Sequence, residues 1–199
     1  MPDTAVYQTH ALSTESLELS TRGAVGEGMT SLDAIDWRTW SPTDRATLLF
    51  IIEMAVPRIL LIEKKRGLGA GKVNAPGGRL EPGERPIDAA VRELREELCV
   101  GATGVVEHGE LSFHFVDGYK LHCHVFRADH CEGEPTETDE ATPLWTSLDA
   151  IPFHRMWADD ALWLPRLIAG ETFRGRFIFD GDRMVDHELQ ATGLVPLRQ

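Results

Sequence analysis

A three-layer α/β/α sandwich on a mixed central sheet is the fold class this sequence predicts, and three observations predict it. Short apolar, β-branched runs recur along the chain and read as strands. The segment after Pro86 carries the 3.6-residue period of a helix, and a second amphipathic helix is written into Asp159 to Ala169. Strands flanked by two one-sided helices bury both faces by stacking helix on sheet on helix. With 199 residues, 42% of them hydrophobic, the chain is long enough for one well-buried core and too short for two large domains.

In chain order, residues 1 to 40 are polar and lack a sustained period, which predicts an N-terminal extension, a flexible arm with a short helix around Leu32 to Trp40. Met29 is an alternative start, and the folded domain is expected over 41–199. Thr47 to Ile52 and Arg58 to Ile62 read as paired strands joined across Pro57. Gly67 to Gly78, with five glycines and a proline, reads as a loop. Glu110 to Val116, where Leu111, Phe113 and Phe115 alternate, and Tyr119 to Phe126 form a predicted hairpin around Asp117-Gly118. Cys131 to Thr142 is acidic and turn-rich, Leu144 to Thr146 a short strand, and Ser147 to Ile151 a short helix. The second long helix presents Leu162, Trp163, Leu167 and Ile168, and Phe173 to Asp180 with Met184 to Glu188 closes the chain as a hairpin.

The helix after Pro86 holds the densest chemistry. Glu93, Glu96 and Glu97 fall at i, i+3 and i+4 within one arc, while Ile87, Ala90, Val91, Leu94 and Leu98 fill another. Like charges at that spacing destabilise a helix by a few tenths of a kcal/mol per pair, so a positive partner is expected. Hard divalent cations take such carboxylates together with water and substrate phosphates, and Arg92 stands where it can orient Glu93. A solvated acidic face is the alternative such a run carries by itself.

The formal net charge of −12 argues against a broad electrostatic footprint on nucleic acid polymers or anionic membranes. No apolar run is long enough to span a bilayer, and residues 1 to 30 lack a basic region followed by an apolar one, so a cytoplasmic protein, a monomer, is expected. Cys99, Cys123 and Cys131 form no CxxC pair and read as free thiols. His122 and His124 alternate with Cys123 on a predicted strand, with no further ligand of suitable spacing nearby.

Gly78, Glu84, Arg92, Glu93, Leu94, Glu96, Glu97 and Val100 stand in register with the Nudix hydrolase box, in which Gly, five residues, Glu, seven residues and Arg-Glu-aliphatic-any-Glu-Glu recur; Cys99 takes the place of the last glycine. Lys64 to Asn74 (KKRGLGAGKVN), Pro152 to Trp163 (PFHRMWADDALW) and Phe173 to Glu188 extend this likeness. The chain resembles the animal-type oxidised purine nucleoside triphosphatases, the 8-oxo-dGTP diphosphatase branch of the MutT-like Nudix hydrolases.

The resemblance implies Mg2+, with Mn2+ as the alternative, held by Glu93, Glu96 and Glu97 with the Gly77 carbonyl and Glu140. Glu93 or Glu140 would be the general base, and Lys64 and Arg79 would reach the phosphates. It implies a purine pocket in which Asn74, Asp159 and Asp160 read the base edge and Trp157 stacks on it, lined by Thr47, Leu68, Phe113 and Phe115. Two neighbouring aspartates resist double ionisation, so the pair presents a donor and an acceptor. Without the likeness, Asp159-Asp160 reads first as a helix cap and first-turn acid, with Trp157 and Trp163 in the core. Leu68 replaces a usual phenylalanine, and Val73 and Pro76 replace bulky aromatics.

The implied reaction is hydrolysis of a modified purine nucleoside triphosphate, of the 8-oxo-dGTP or 2-oxo-dATP type, to the monophosphate and pyrophosphate, sanitising the nucleotide pool. Methylated purine triphosphates, another nucleoside diphosphate derivative such as ADP-ribose, and a nucleotide sensor without turnover stay open beside it.

Overall fold

The computed structural model describes residues 30–195. The first part of the expected arm, residues 1–29, lies outside the described residues. From Thr30 the chain makes only a 3-10 turn, Leu32–Ala34, where a short helix was expected. This stretch lies against the last hairpin: the Leu32 amide donates to Asp186 Oδ2 at 2.8 Å, and the Arg176 guanidinium sits 5.1 Å above the Trp37 ring.

The strands are β1 (Asp44–Glu53), β2 (Arg58–Lys64), β3 (Val73–Asn74), β4 (Gly101–Thr103), β5 (Val106–Phe115), β6 (Lys120–Ala128), β7 (His130–Glu132), β8 (Ala141–Ser147), β9 (Glu171–Asp180) and β10 (Arg183–Leu194). The helices are α1 (Pro86–Leu98) and α2 (Asp160–Ile168). The main sheet runs β10-β9-β5-β6-β1-β2-β3, with β8 also on β2. It is mixed, because β1 with β6 and β5 with β9 run parallel and the other pairs antiparallel. The short β4 and β7 pair separately, a ribbon that alternation over three residues is too brief to announce.

The period of two along β1 and β2 builds the layers. Leu49, Ile51, Leu60 and Ile62 pack with Ala90, Leu94 and Leu98 of α1. Phe50, Ile52, Ile59 and Leu61 point the other way and pack with Trp163, Leu164 and Leu167 of α2. Pro86 opens α1 at a position whose missing N–H costs nothing. Cys99 ends it in the left-handed region at φ 60°, its amide donating to Arg95 O. Two expectations are corrected. Ile87, in the first turn of α1, is exposed, and the buried face of the helix begins with Ala89 and Ala90. Ser147 to Ile151 is a turn, not a helix, because β8 runs through Ser147 and a 3-10 turn follows only at Phe153–Arg155. No helix among the described residues is long and apolar enough to cross a membrane.

Candidate active site

The glycine-rich connection from β2 to α1 enters the sheet instead of crossing over it. The β1 amides of Thr47 and Leu49 donate to Gly78 O and Pro76 O, each at 2.9 Å, so the loop takes a strand's place beside β1. A side chain on Gly77 would overlap the Thr47 carbonyl, and one on Gly78 would overlap the Glu93 carboxyl group. Glycine is required here for close approach, which brings the loop backbone against the glutamate face of α1.

Glu97 is 1% exposed. Its Oε2 accepts the Gly77 amide at 2.9 Å, and its Oε1 pairs with Lys64 Nζ at 3.1 Å, while the same ammonium lies 3.5 Å from Gly77 O. Burial holds the Glu97 carboxyl above the usual carboxylate range, against the opposing pull of Lys64. Arg92 binds both oxygens of Glu84 at 2.9 Å, Glu93 Oε1 at 2.8 Å, Glu96 Oε2 at 3.1 Å and the Arg79 carbonyl. Its bond to Arg92 draws Glu84 down to about 2. Glu84 stood in the box pattern, and its part here is to hold Arg92.

One cavity of about 530 Å³ joins this carboxylate end to a base-sized end. At the first end stand Glu93, Glu97, Lys64, Gly77 and Arg79, with Glu140, which Arg66 pairs. Glu96 is exposed and does not line the cavity. At the other end stand Asn74, Thr47, Phe113, Leu68, Trp157, Asp159 and Asp160. Among the described residues no three His, Cys, Asp or Glu side chains converge as a ready-made metal cluster. Each glutamate is instead tied to a basic partner. The oxygens present nevertheless suit a hard cation: Lys64 already places a positive charge on Glu97 and the Gly77 carbonyl together.

Asp159 makes no cap bond at the start of α2. Its Oδ2 accepts Trp163 Nε1 at 2.8 Å, and Asp160 Oδ2 accepts the Trp157 amide at 3.0 Å. Both carboxyls are 2% exposed and raised above the aspartate range, Asp159 by burial, Asp160 by burial and the charge of Asp159. Trp163 belongs to the core, whereas Trp157 is half-buried, edge-on to Phe179 at 5.5 Å, with Lys72 Nζ 4.7 Å from its ring centre. Asn74 turns its Oδ1 onto the Ala75 amide, which leaves its NH2 group for a ligand. The Thr47 hydroxyl is buried without a partner at the cavity wall. Phe113 stacks on Phe177 at 5.4 Å, and Leu68 is half-exposed at the rim.

Sequence reasoning missed several wall residues. Cys123 lines the base end, and burial pushes its thiol far up, so it stays an uncharged thiol there. Alternation against His122 and His124 marked its direction without marking the cavity. Tyr119 Oη donates to Asp44 Oδ2 at 2.9 Å, and Asp44, the first residue of β1, in turn pairs with Arg79 at 3.1 Å, a contact among residues distant in sequence that no local pattern records. On the opposite sheet face, His124 bonds Glu107 at 2.6 Å and His122 bonds Ser112 at 3.1 Å.

The NUDIX domain family matches residues 42–167. The chain is 44% identical over 145 residues to the oxidized purine nucleoside triphosphate hydrolase of Danio rerio, covering 72% of this chain and 92% of that protein. It is 41% identical over 146 residues to the protein of the same name from Mus musculus, with the same coverage. A MutT protein from Bacillus halodurans superposes with a TM-score of 0.66 at 24% identity, over 73% of this chain and 97% of that one, a likeness of fold.

Proposed function

Because the chain belongs to the NUDIX domain family, we propose that it hydrolyses oxidised purine nucleoside triphosphates, of the 8-oxo-dGTP or 2-oxo-dATP type, to the monophosphate and pyrophosphate. The observation that carries this reading is the single cavity joining Glu93 and Glu97 to the buried pair Asp159 and Asp160. A plain acidic helix would not face a base-sized pocket. Two curated relatives that share most of their length with this chain bear that activity in their names.

At the base end, a shared proton lets the aspartate pair offer one donor and one acceptor, the pattern an altered purine edge requires. Trp157 supplies a stacking face worth about 1–3 kcal/mol per base, and the Asn74 amide a further donor. Rejection of an unmodified purine follows from leaving one of these buried polar groups unpaired.

Members of this family generally use divalent metal ions. We assign Mg2+, with Mn2+ able to substitute, to Glu97, Glu93 and the Gly77 carbonyl, with Glu96 on the same helix and Glu140 in the connection just before β8. Bound there, the ion neutralises triphosphate charge and polarises a phosphoryl oxygen. The chain's own part is positioning, which dominates phosphoryl chemistry. Arg92 fixes one oxygen of Glu93, whose carboxyl lies against Gly78, and Glu93 is the general base that takes a proton from the attacking water. The water oxygen bonds to a phosphorus of the α,β-phosphoanhydride as the bond from that phosphorus to the bridging oxygen breaks, the monophosphate and pyrophosphate separate, and Lys64 and Arg79 line the end of the cavity where the departing phosphates would carry charge.

The reading extends to a cytoplasmic monomer with a catalytic domain over 41–199 and an N-terminal extension over 1–40. A size measurement on the whole chain and on a chain starting at Met29 checks that part. The activity is checked by kcat/KM with Mg2+ for 8-oxo-dGTP, 2-oxo-dATP, O6-methyl-dGTP and dGTP, with identification of the released phosphate. Pyrophosphate release with about a hundredfold preference for an oxidised purine, roughly 2.7 kcal/mol, is the expected result. A methylated purine preferred over both oxidised ones, equal rates on all four, or no turnover would overturn it.

A further inference from the structure

We propose that Lys64 is a resident counter-cation of the carboxylate site: it occupies the two oxygens that a divalent ion takes and yields them when that ion binds. The proposal rests on the assignment of Glu97 and Gly77 as metal ligands above.

Glu97 is almost sealed from water, and a sealed carboxylate without a positive partner is strongly destabilising. Lys64 Nζ supplies the charge at 3.1 Å from Glu97 Oε1, and lies at 3.5 Å from Gly77 O as well. One ammonium thus lies at the side-chain and the backbone oxygen that close the loop onto α1. The Lys64 side chain is 20% exposed and lines the cavity, so its flexible stem has open space to move into.

Arg92 holds Glu93 and Glu96 in a different manner. It is anchored by two bonds to Glu84 and one to the Arg79 carbonyl, which a metal ion would leave in place. Lys64 has no such second anchor: both of its contacts are to the oxygens in question. The ammonium and a divalent ion therefore exclude one another. In the free protein Lys64 weakens metal binding while keeping Glu97 compensated. Once released it faces the triphosphate end of the cavity, so metal and nucleotide binding become linked through one side chain.

The experiment titrates Mn2+ alone, without nucleotide, into the full chain at pH 8, reading affinity by calorimetry and by Mn2+ spin resonance, for wild type, Lys64→Met, Lys64→Gln and Lys64→Arg. Circular dichroism establishes that each is folded. Removal of the positive charge is expected to tighten Mn2+ binding by about fivefold or more, with Lys64→Arg within about twofold of wild type. The rise in Tm on adding Mn2+ is expected to be larger in Lys64→Met than in wild type. Unchanged or weaker affinity in both neutral variants would overturn the proposal and leave Lys64 a phosphate contact or a structural brace. Undiminished binding in Glu97→Gln would overturn both the ligand assignment and the role of Lys64. Neither outcome bears on the hydrolytic reading, whose own test is the product released from oxidised purine triphosphates.

Discussion

The Gly77 amide donates to Glu97 Oε2 at 2.9 Å, tying the glycine loop to the carboxylate farthest along α1. The carbonyl of the same glycine and the other oxygen of the same carboxylate flank Lys64, so loop and helix are closed onto each other from both sides of one charge. Substitution of Glu97 by glutamine retains an acceptor for the Gly77 amide and removes the charge. Turnover is expected to fall by roughly three orders of magnitude while the far-ultraviolet dichroism stays that of wild type, as for loss of a group that acts on developing charge. Near-normal kcat/KM would sink the assignment.

The two adjacent glycines are expected to fail differently when each is changed to alanine. Gly77→Ala drives its Cβ into the Thr47 backbone, which cannot move without opening β1, so about 2–3 kcal/mol of stability is lost, roughly 4–12 °C in Tm. Gly78→Ala meets the end of the Glu93 side chain, which can swing aside. There kcat is expected to fall by about tenfold or more with Tm nearly unchanged. Thermal melts beside initial rates separate the two, and equal Tm losses would show the Glu93 carboxyl to be as fixed as backbone.

The buried aspartates make stability pH-dependent in a stated sense. Burial raises both carboxyls, Asp159 to about 6 from 3.8, so the folded chain binds protons more tightly than the unfolded one. Their contribution is therefore most favourable at low pH and is lost as pH rises through the folded values. Asp160→Asn keeps an acceptor for the Trp157 amide and removes the second buried charge. Its Tm relative to wild type is expected to be higher at pH 8 than at pH 5 by about 2–6 °C, with preference among purines relaxed. A pH-independent difference in Tm would exclude a shared proton.

Cys99 holds φ 60° at the end of α1, a conformation that costs a non-glycine residue about 1–2 kcal/mol. Glycine removes that strain and gives back part of it in chain entropy, so Cys99→Gly is expected to stabilise by about 0.5–1 kcal/mol, some 1–4 °C in Tm. A drop in Tm would mean that the thiol makes a contact worth more than the strain.

What was legible in the sequence lies in contiguous stretches. Pro86 to Val100 carries its helix period and its charges together, and Trp157, Asp159 and Asp160 sit within four residues of one another, so both ends of the cavity were readable as segments. That the ends form one cavity was not readable. It depends on loop 65–78 entering the sheet at Thr47 and Leu49, a tertiary event. Ion pairs such as Lys64 with Glu97, 33 residues apart, belong to the same class. Ile87 was misplaced because the helix period runs through the first turn without marking where burial begins, at Ala89.

Splicing Pro76 and Gly78 into the backbone ladder of β1 makes the carboxylate end of the cavity part of the sheet itself. Opening the carboxylate end means breaking sheet bonds, so the Thr47 and Leu49 amides are expected to exchange with solvent as slowly as those of the core, which hydrogen exchange checks. The stretch from Lys65 to Lys72 is closed on itself by backbone bonds of Lys64 with Gly71 and Lys72, and is tied outward by the Lys65 amide on Glu140 O and by surface ion pairs to Glu137, Glu140 and Asp182. A substitution at Leu68, at the rim of the base end, is therefore expected to alter which base is admitted with less effect on the carboxylate end.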